Sequence, residues 1–343
     1  MLYTFFTIFV SYFQFKNKIT VYKTNSAREI KMTLFKKKLP CLIAAALTLA
    51  FFFTLSACAN ASDVYDSSTI NIVSTTTMLT DLAKQIGGDK VTVYGLMGSG
   101  VDPHQYRASA GDITKMSRAD MVLYSGLHLE GKMGDVISAQ EESGKKVVCA
   151  SAGIAEDSLI INGDIPDPHI WFDVSLWKEA AKAVEKGMEE LDPENGEYYR
   201  KKLESYTKEL DDLDGYVKGK TEEVPEEKRV LITAHDAFGY FGRAYGFEVK
   251  GLQGISTVSE AGTADVSRLA DFIAENRIKA VFVESSLPVK NIEALIEAVK
   301  ARNFDTSLGG YLYSDSIGDE KNGTDTYISA FKHNIDTIVK ELK

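Results

Sequence analysis

The sequence is poor in the residues that would link the chain covalently. It has 3 cysteines among 343 residues, and both Cys41 and Cys58 lie in an N-terminal segment that we expect to be removed or modified. Cys149 is then alone, so no internal disulfide can form and the fold must be held together by packing. Because Cys149 ends the apolar run Val147–Cys149, we expect a buried, unreactive thiol.

An excess of proline, glycine or basic charge is also missing. With 7 prolines, 26 glycines and 44% hydrophobic residues, the composition excludes collagen-like, coiled-coil and wholly disordered chains. Residues 58–343 carry 31 basic and 48 acidic side chains, a net charge of −17. This charge argues against nucleic-acid binding and raises the local concentration of cations.

The N-terminal segment has the features of an export signal. Lys36–Lys38 precede the apolar stretch Leu39–Thr54, and Leu55–Cys58 follows it directly. At 16 residues this stretch is shorter than the roughly 20 needed for a membrane-spanning helix, the alternative interpretation. The pattern resembles a bacterial lipoprotein signal, with cleavage before Cys58 and lipid on its thiol.

This interpretation predicts the organisation of the first 68 residues and the location of the protein. Met32 directly precedes the lysines, so we expect the signal peptide to span residues 32–57 and residues 1–31 to be a start-site misassignment. The small, polar residues 58–68 then form a flexible tether. The protein is expected to be extracytoplasmic and lipid-anchored to the cell membrane through Cys58.

Short apolar runs alternate with helical patterns from residue 69 onward, which predicts an α/β fold with largely parallel sheets. Two consecutive helices interrupt this alternation, and the second, from Glu194 to about Lys220, is long and mostly polar. Such a helix suits a connector between two lobes, although a surface helix would have the same pattern. We predict an N-terminal lobe over residues 69–194, a linking helix over 195–222 and a C-terminal lobe over 223–343.

Only 5 histidines occur, and three of them stand in turns or directly after apolar runs. His104 and His169 each end the tripeptide Asp-Pro-His, in which proline stiffens the turn that carries the imidazole. His235 directly follows the apolar run Val230–Ala234, and ligands bind at the carboxyl ends of parallel strands. Asp315, after the last apolar run, is a fourth candidate ligand.

Three imidazoles and one carboxylate would suit zinc or manganese. These residues match no local zinc motif, and a histidine after a strand is more often a hydrogen-bonded structural group. The residue pattern by itself therefore leaves both interpretations open.

Six segments, in order, make the sequence resemble the metal-binding lipoproteins of zinc and manganese ATP-binding-cassette importers, especially their TroA-like branch. The resemblance covers Ile70 to the C-terminus. The segments are Val101–Tyr106, Ala119–Glu130, Asp167–Trp171, Ala237–Phe241 with Tyr245 and Gly246, Val283–Ser286, and Asp315–Gly318.

The resemblance implies two α/β lobes joined by one long, rigid helix, with one metal ion between them. It implies His104 and His169 as ligands from the first lobe, and His235 and Asp315 from the second. Many manganese-selective members have glutamate at the position of His235, and many zinc members carry a His-rich loop that this chain lacks. Zinc and manganese therefore both stay candidates, with iron as a third.

The function implied is capture of the metal ion and its delivery to a permease powered by an ATPase subunit. We expect a monomer that is not an enzyme, and the chain has no nucleotide-binding Gly-x-x-x-x-Gly-Lys-[Ser/Thr] loop of its own. Capture requires neutral imidazoles, so affinity should fall as the pH drops through about 6.5.

Two other functions compete with this one. A secreted zinc hydrolase would need Asp315 to point away from the metal and Glu284 or Glu260 to act as general base. A surface adhesin is compatible as a secondary role. Of the remaining candidates, His128 and His333 are expected to be structural or surface residues. Glu284 could orient an imidazole by accepting from its N–H or could make a purely structural hydrogen bond, and Glu260 and Asp236 are further candidates of the same kind.

Overall fold

A computed structural model describes residues 68–343 of the chain. The predicted signal segment, the predicted lipidation site Cys58 and the predicted tether up to residue 67 lie outside the described residues. Within residues 68–343, no helix is both long and apolar enough to cross a membrane.

The first lobe is built on a four-stranded parallel sheet. Its strands lie in the order β2-β1-β3-β4, so the winding direction reverses between β1 and β3. The buried Ile72 of β1 pairs with Met121 of β3 on one side and with Val93 of β2 on the other. The elements are β1 Ile70–Ser74, α1 Thr77–Gly87, β2 Val91–Gly95, α2 Ala110–Arg118, β3 Met121–Tyr124, α3 Gly134–Glu142 and β4 Lys146–Cys149.

A short antiparallel hairpin and two long helices complete the N-terminal half. The hairpin strands are β5 Ile161–Asn162 and β6 Ile165–Pro166, and the helices are α4 Val174–Leu191 and α5 Gly196–Thr221. The hairpin was not predicted, because strands of two residues carry no periodic signal.

Helix α5 is the predicted linking helix, with 26 residues. Pairs such as Glu197 with Lys201 and Glu204 with Lys208, four residues apart, support its solvated face. Its buried stripe, which includes Leu210 and Leu213, packs against helices α1 and α4 and against helices of the second lobe. Because one rigid helix contacts both lobes, it connects them and is more than a surface helix.

The second lobe contains two parallel strand pairs, β7 with β8 and β9 with β10. Strands β7 and β9 lie side by side, so the carboxyl ends of β7 and β9 are neighbours. The elements are β7 Val230–His235, α6 Gly239–Tyr245, β8 Glu248–Gln253, α7 Thr263–Glu275, β9 Ala280–Glu284, α8 Lys290–Lys300, β10 Ser307–Leu312 and α9 Tyr327–Leu342.

One hydrophobic core runs through both halves of the described chain. It joins side chains of the first sheet and helices α1, α4 and α5 to those of helix α9. Trp177 of α4 stacks on Tyr327 of α9 with ring centroids 5.0 Å apart, and both side chains are buried. This continuous core limits independent movement of the lobes.

The predicted fold class, two α/β lobes with largely parallel sheets and a long connecting helix, is confirmed. The boundaries at residues 69–194, 195–222 and 223–343 stay a prediction. Two local expectations were inaccurate. His235 is the last residue of β7 rather than the residue after it, and Cys149 is half-buried, with its Sγ 3.4 Å from Ser151 Oγ.

Candidate metal centre

The four candidate ligands come from four different segments, all close to strand ends. His104 lies in the loop between β2 and α2, and His169 follows β6 directly before the short 3₁₀ turn Ile170–Phe172. His235 ends β7, and Asp315 lies three residues after β10. The fold thus brings together four side chains of which each is 65 to 80 positions from the next along the chain.

Their ligand atoms form one compact group. The group is His104, His169, His235 and Asp315, and one atom from each lies within 4.8 Å of all the others. His104 Nε2 is 3.4 Å from His169 Nε2 and 3.5 Å from Asp315 Oδ2. Asp315 Oδ1 is 3.4 Å from His169 Nε2, and its Oδ2 is 3.3 Å from His235 Nε2.

These separations match the size of a metal coordination sphere. An ion held tetrahedrally by bonds of about 2.0–2.1 Å has ligand atoms about 3.3–3.4 Å apart. Asp315 presents one oxygen to His169 and the other to both His104 and His235, so it could bind through one oxygen or through two. The group can therefore hold one first-row ion with four or five bonds.

The group is buried and its inward-facing atoms lack other partners. The exposed fraction is 4% for His104, 0% for His169 and His235, and 1% for Asp315. His235 Nε2 and both carboxylate oxygens of Asp315 make no hydrogen bond to residues 68–343. Buried polar atoms without partners are costly, and a bound cation would satisfy all three of them.

Two further carboxylates orient the imidazoles from behind. His169 Nδ1 is 2.7 Å from Asp167 Oδ1, and His235 Nδ1 is 2.5 Å from Glu284 Oε2. A carboxylate accepts hydrogen bonds, so each Nδ1 carries the proton and each Nε2 is free to bind a metal. Glu284 also accepts from the backbone N–H of Ala234, which fixes the carboxylate itself.

Sequence reasoning identified one of these two carboxylates. The sequence makes Glu284 a candidate to orient an imidazole, but it does not predict this role for Asp167, the aspartate of the second Asp-Pro-His turn. Asp167 Oδ1 accepts from both the backbone N–H and the imidazole of His169. The signal that could have revealed it is an aspartate two residues before a candidate ligand.

Burial and the nearby charges set the pKa of each group. Burial lowers the pKa of His104 to about 4, only partly offset by Asp315. Burial also acts to lower the pKa of His169, but Asp167 and then Asp315 outweigh it and raise the pKa to about 9. For His235, burial again acts to lower the pKa, but Asp315 and Glu284 together outweigh it and hold the pKa well above its ordinary value. His169 and His235 therefore bind a proton more strongly than an ordinary histidine does.

The segment that carries Asp315 is held by the first lobe, although it belongs to the second. Ile317 N donates to Thr77 Oγ1 at 2.9 Å, and Gly100 N donates to Ser316 Oγ at 2.9 Å. The indole N–H of Trp171 donates to the carbonyl oxygen of Ser314 at 3.0 Å. These bonds run from one lobe to the other and hold Asp315 against His104 and His169 of the first lobe.

The remaining candidates from the sequence are not part of the group of four ligands, although the structure describes all of them. His128 is exposed in a turn with φ of 66°, and His333 is half-buried on α9, where its Nε2 is 3.1 Å from the carbonyl oxygen of Tyr311. Glu260 is exposed, and Asp236 is half-buried and directly follows His235. None of these four has a ligand atom in the group.

The geometry does not favour the hydrolase alternative. That alternative requires Asp315 to point away, but its carboxylate lies against all three imidazoles. Glu284, one of the two general bases considered, is fully buried and already bonded to His235. Neither the open metal position nor the free base of a catalytic zinc site is present in this group.

Comparison with known proteins agrees with this geometry. Residues 72–341 match the model of the family described as zinc-uptake complex component A, periplasmic (ZnuA). The chain belongs to this family. This assignment confirms the resemblance stated from the sequence motifs, and it covers both lobes and the linking helix.

Individual members of the family are also similar over most of their length. The zinc-binding protein TroA of Treponema pallidum is 48% identical over 271 residues, covering 79% of this chain and 88% of TroA. The manganese-binding lipoprotein MntA of Bacillus subtilis is 44% identical over 304 residues, covering 88% of this chain and 99% of MntA. The solved structure of the periplasmic zinc-binding protein TroA superimposes with a TM-score of 0.78 at 48% identity, over 80% of this chain and 99% of that one.

Proposed function

We propose that this chain captures one zinc or manganese ion outside the cytoplasm and delivers it to an ATP-binding-cassette importer. The observation that carries the proposal is the buried group of three imidazoles and one carboxylate, spaced as ligands of a single ion. Membership of the family and the names of TroA and MntA support the same metals. His104, His169, His235 and Asp315 are the proposed ligands.

The types of ligand atom determine which of the two ions is expected to bind more tightly. Three imidazole nitrogens favour zinc over manganese, since affinity for nitrogen ligands rises along the first row towards copper and zinc. The Asp315 carboxylate supplies the hard oxygen that manganese prefers. We therefore propose that both ions bind and that zinc binds more tightly.

Metal content and competition test this proposal directly. Protein purified without a chelator should contain about one divalent ion per chain by elemental analysis, and zinc should displace manganese from it. The absence of stoichiometric metal, together with no measurable zinc binding to the ion-free protein, would contradict the proposal.

The partners follow from the family and from the N-terminal residues. Importers of this class consist of a permease and an ATPase subunit, and we propose that this chain meets the permease as a monomer. Lipid on Cys58 would hold the protein at the membrane surface, where the permease opens. Mass spectrometry of the mature N-terminus tests the lipid, with an unmodified Cys58 as the opposing result.

Glu284 provides a further prediction, because it acts on the metal only through His235. Glu284→Gln keeps the size of the side chain but removes the charge that orients the imidazole. We expect zinc affinity to fall by about 10- to 100-fold, as is typical when such a partner of a ligand is lost. Isothermal titration at constant pH measures the change.

A matched variant separates this effect from a general loss of acidic charge. Glu260→Gln removes the same charge from an exposed side chain of the same lobe. Its zinc affinity should stay within about twofold of the unmodified protein, since exposed charges interact weakly through water. Equal losses in both variants would show that Glu284 has no special role.

A further inference from the structure

The two Asp-Pro-His turns are identical in sequence but use their aspartates differently. In the second turn, Asp167 bonds the imidazole of its own His169. In the first turn, Asp102 Oδ1 accepts from the backbone N–H of His104 at 2.9 Å, but its Oδ2 accepts from the hydroxyl of Thr257 at 2.6 Å. The first aspartate thus reaches across to the other lobe.

The first Asp-Pro-His turn and Gln105 after it bond both the side-chain hydroxyl and the carbonyl oxygen of Thr257. It lies in the loop between β8 and α7 and is only 2% exposed. Its carbonyl oxygen accepts from Gln105 Nε2 at 3.4 Å, and Gln105 Nε2 also donates to Asp102 Oδ2 at 3.1 Å. Residues on both sides of His104 therefore bond the same threonine of the second lobe.

His104 is the ligand that depends most on such support. At 4% it has the largest exposed fraction of the four. Among residues 68–343 it is also the one imidazole of the group without a carboxylate bonded to its Nδ1, while Asp167 supports His169 and Glu284 supports His235. Its position must therefore be set by the turn that carries it.

We propose that Asp102 and Thr257 form a positioning pair, which holds His104 on the metal by bridging the two lobes. This inference rests on the proposed function, because it assigns a role in metal retention. Thr257 directly precedes the exposed Val258, and His104 is the most exposed of the four ligands, so loss of the pair would free this ligand first. Release of the ion should therefore accelerate, while the rate of capture should change little, because affinity differences between closely related complexes arise mostly from dissociation.

Thr257→Val tests the pair, since it removes the hydroxyl at nearly constant volume and leaves the bond between Asp102 and the His104 backbone. We expect the zinc release rate, measured by stopped flow with an excess of chelator, to rise about 10-fold, as for the loss of one charge-assisted hydrogen bond. The association rate should stay within about twofold. Thr257→Ser restores the hydroxyl and should restore slow release.

Thr92→Val is the matched control, because it removes a hydroxyl bonded to Thr69 at 2.8 Å in the first lobe and away from the metal group. Its release rate should equal that of the unmodified protein. Unchanged release from Thr257→Val, or fast release from Thr257→Ser as well, would overturn the positioning pair. If the unmodified protein itself binds no zinc, the proposed function fails instead, and the two failures are distinct.

Discussion

Asp315→Ala is expected to lower zinc affinity at about pH 7.5 by at least about 1,000-fold, equivalent to about 4 kcal/mol. Asp315 supplies the only negative charge of the group, and its two oxygens lie 3.3–3.5 Å from all three imidazole Nε2 atoms. Its removal leaves three neutral ligands around a buried double charge, which is an unfavourable way to take an ion out of water. Competition with a chelator of known zinc affinity measures the loss.

Two control variants make this result specific. Asp315→Asn keeps the volume and one oxygen, so it separates the lost charge from the lost ligand; we expect an intermediate affinity. Asp305→Ala removes an exposed carboxylate of the same lobe and should leave zinc binding unchanged. Tight zinc binding by Asp315→Ala would refute the proposed ligand set.

Zinc affinity is expected to fall by at least about tenfold for each pH unit between pH 8 and pH 6. Nearby carboxylates raise the pKa of His169 to about 9 and that of His235 well above its ordinary value. Below the pKa of His169 the ion must displace one proton from this imidazole, which changes the affinity tenfold per pH unit, and the raised pKa of His235 makes the fall steeper. The direction is therefore weaker binding as the pH falls.

This window lies higher than the one predicted from the sequence. An ordinary histidine would place the fall near pH 6.5, but that value ignores Asp167, Asp315 and Glu284, which surround the imidazoles in the folded chain. Titrations at pH 8, 7 and 6 measure the slope, and calorimetry in buffers of different ionisation enthalpy counts the protons released. Affinity that is constant from pH 8 to pH 7 would contradict the raised pKa values.

The long helix shows what the sequence could and could not predict about the fold. The ends of helix α5 were predicted within one or two residues. This was possible because its polar pattern, and the proline at position 193 that favours the start of a helix, are local features of the sequence. Whether it connects two lobes or lies on one surface depends on what covers Leu210 and Leu213, and that is a property of the packing. The hairpin at residues 161–166 left no pattern long enough to detect.

The sequence by itself determined the alternation of strands and helices, the acidic charge, the four candidate ligands and, through ordered motifs, the family. These features depend on local periodicity and residue type. The tertiary structure decided which carboxylates stand behind the imidazoles, that Asp315 is held by the first lobe, and that the two Asp-Pro-His turns differ. Those relations join residues up to 240 positions apart, such as Thr77 and Ile317, and only the packing of two lobes against one helix brings such residues within bonding distance.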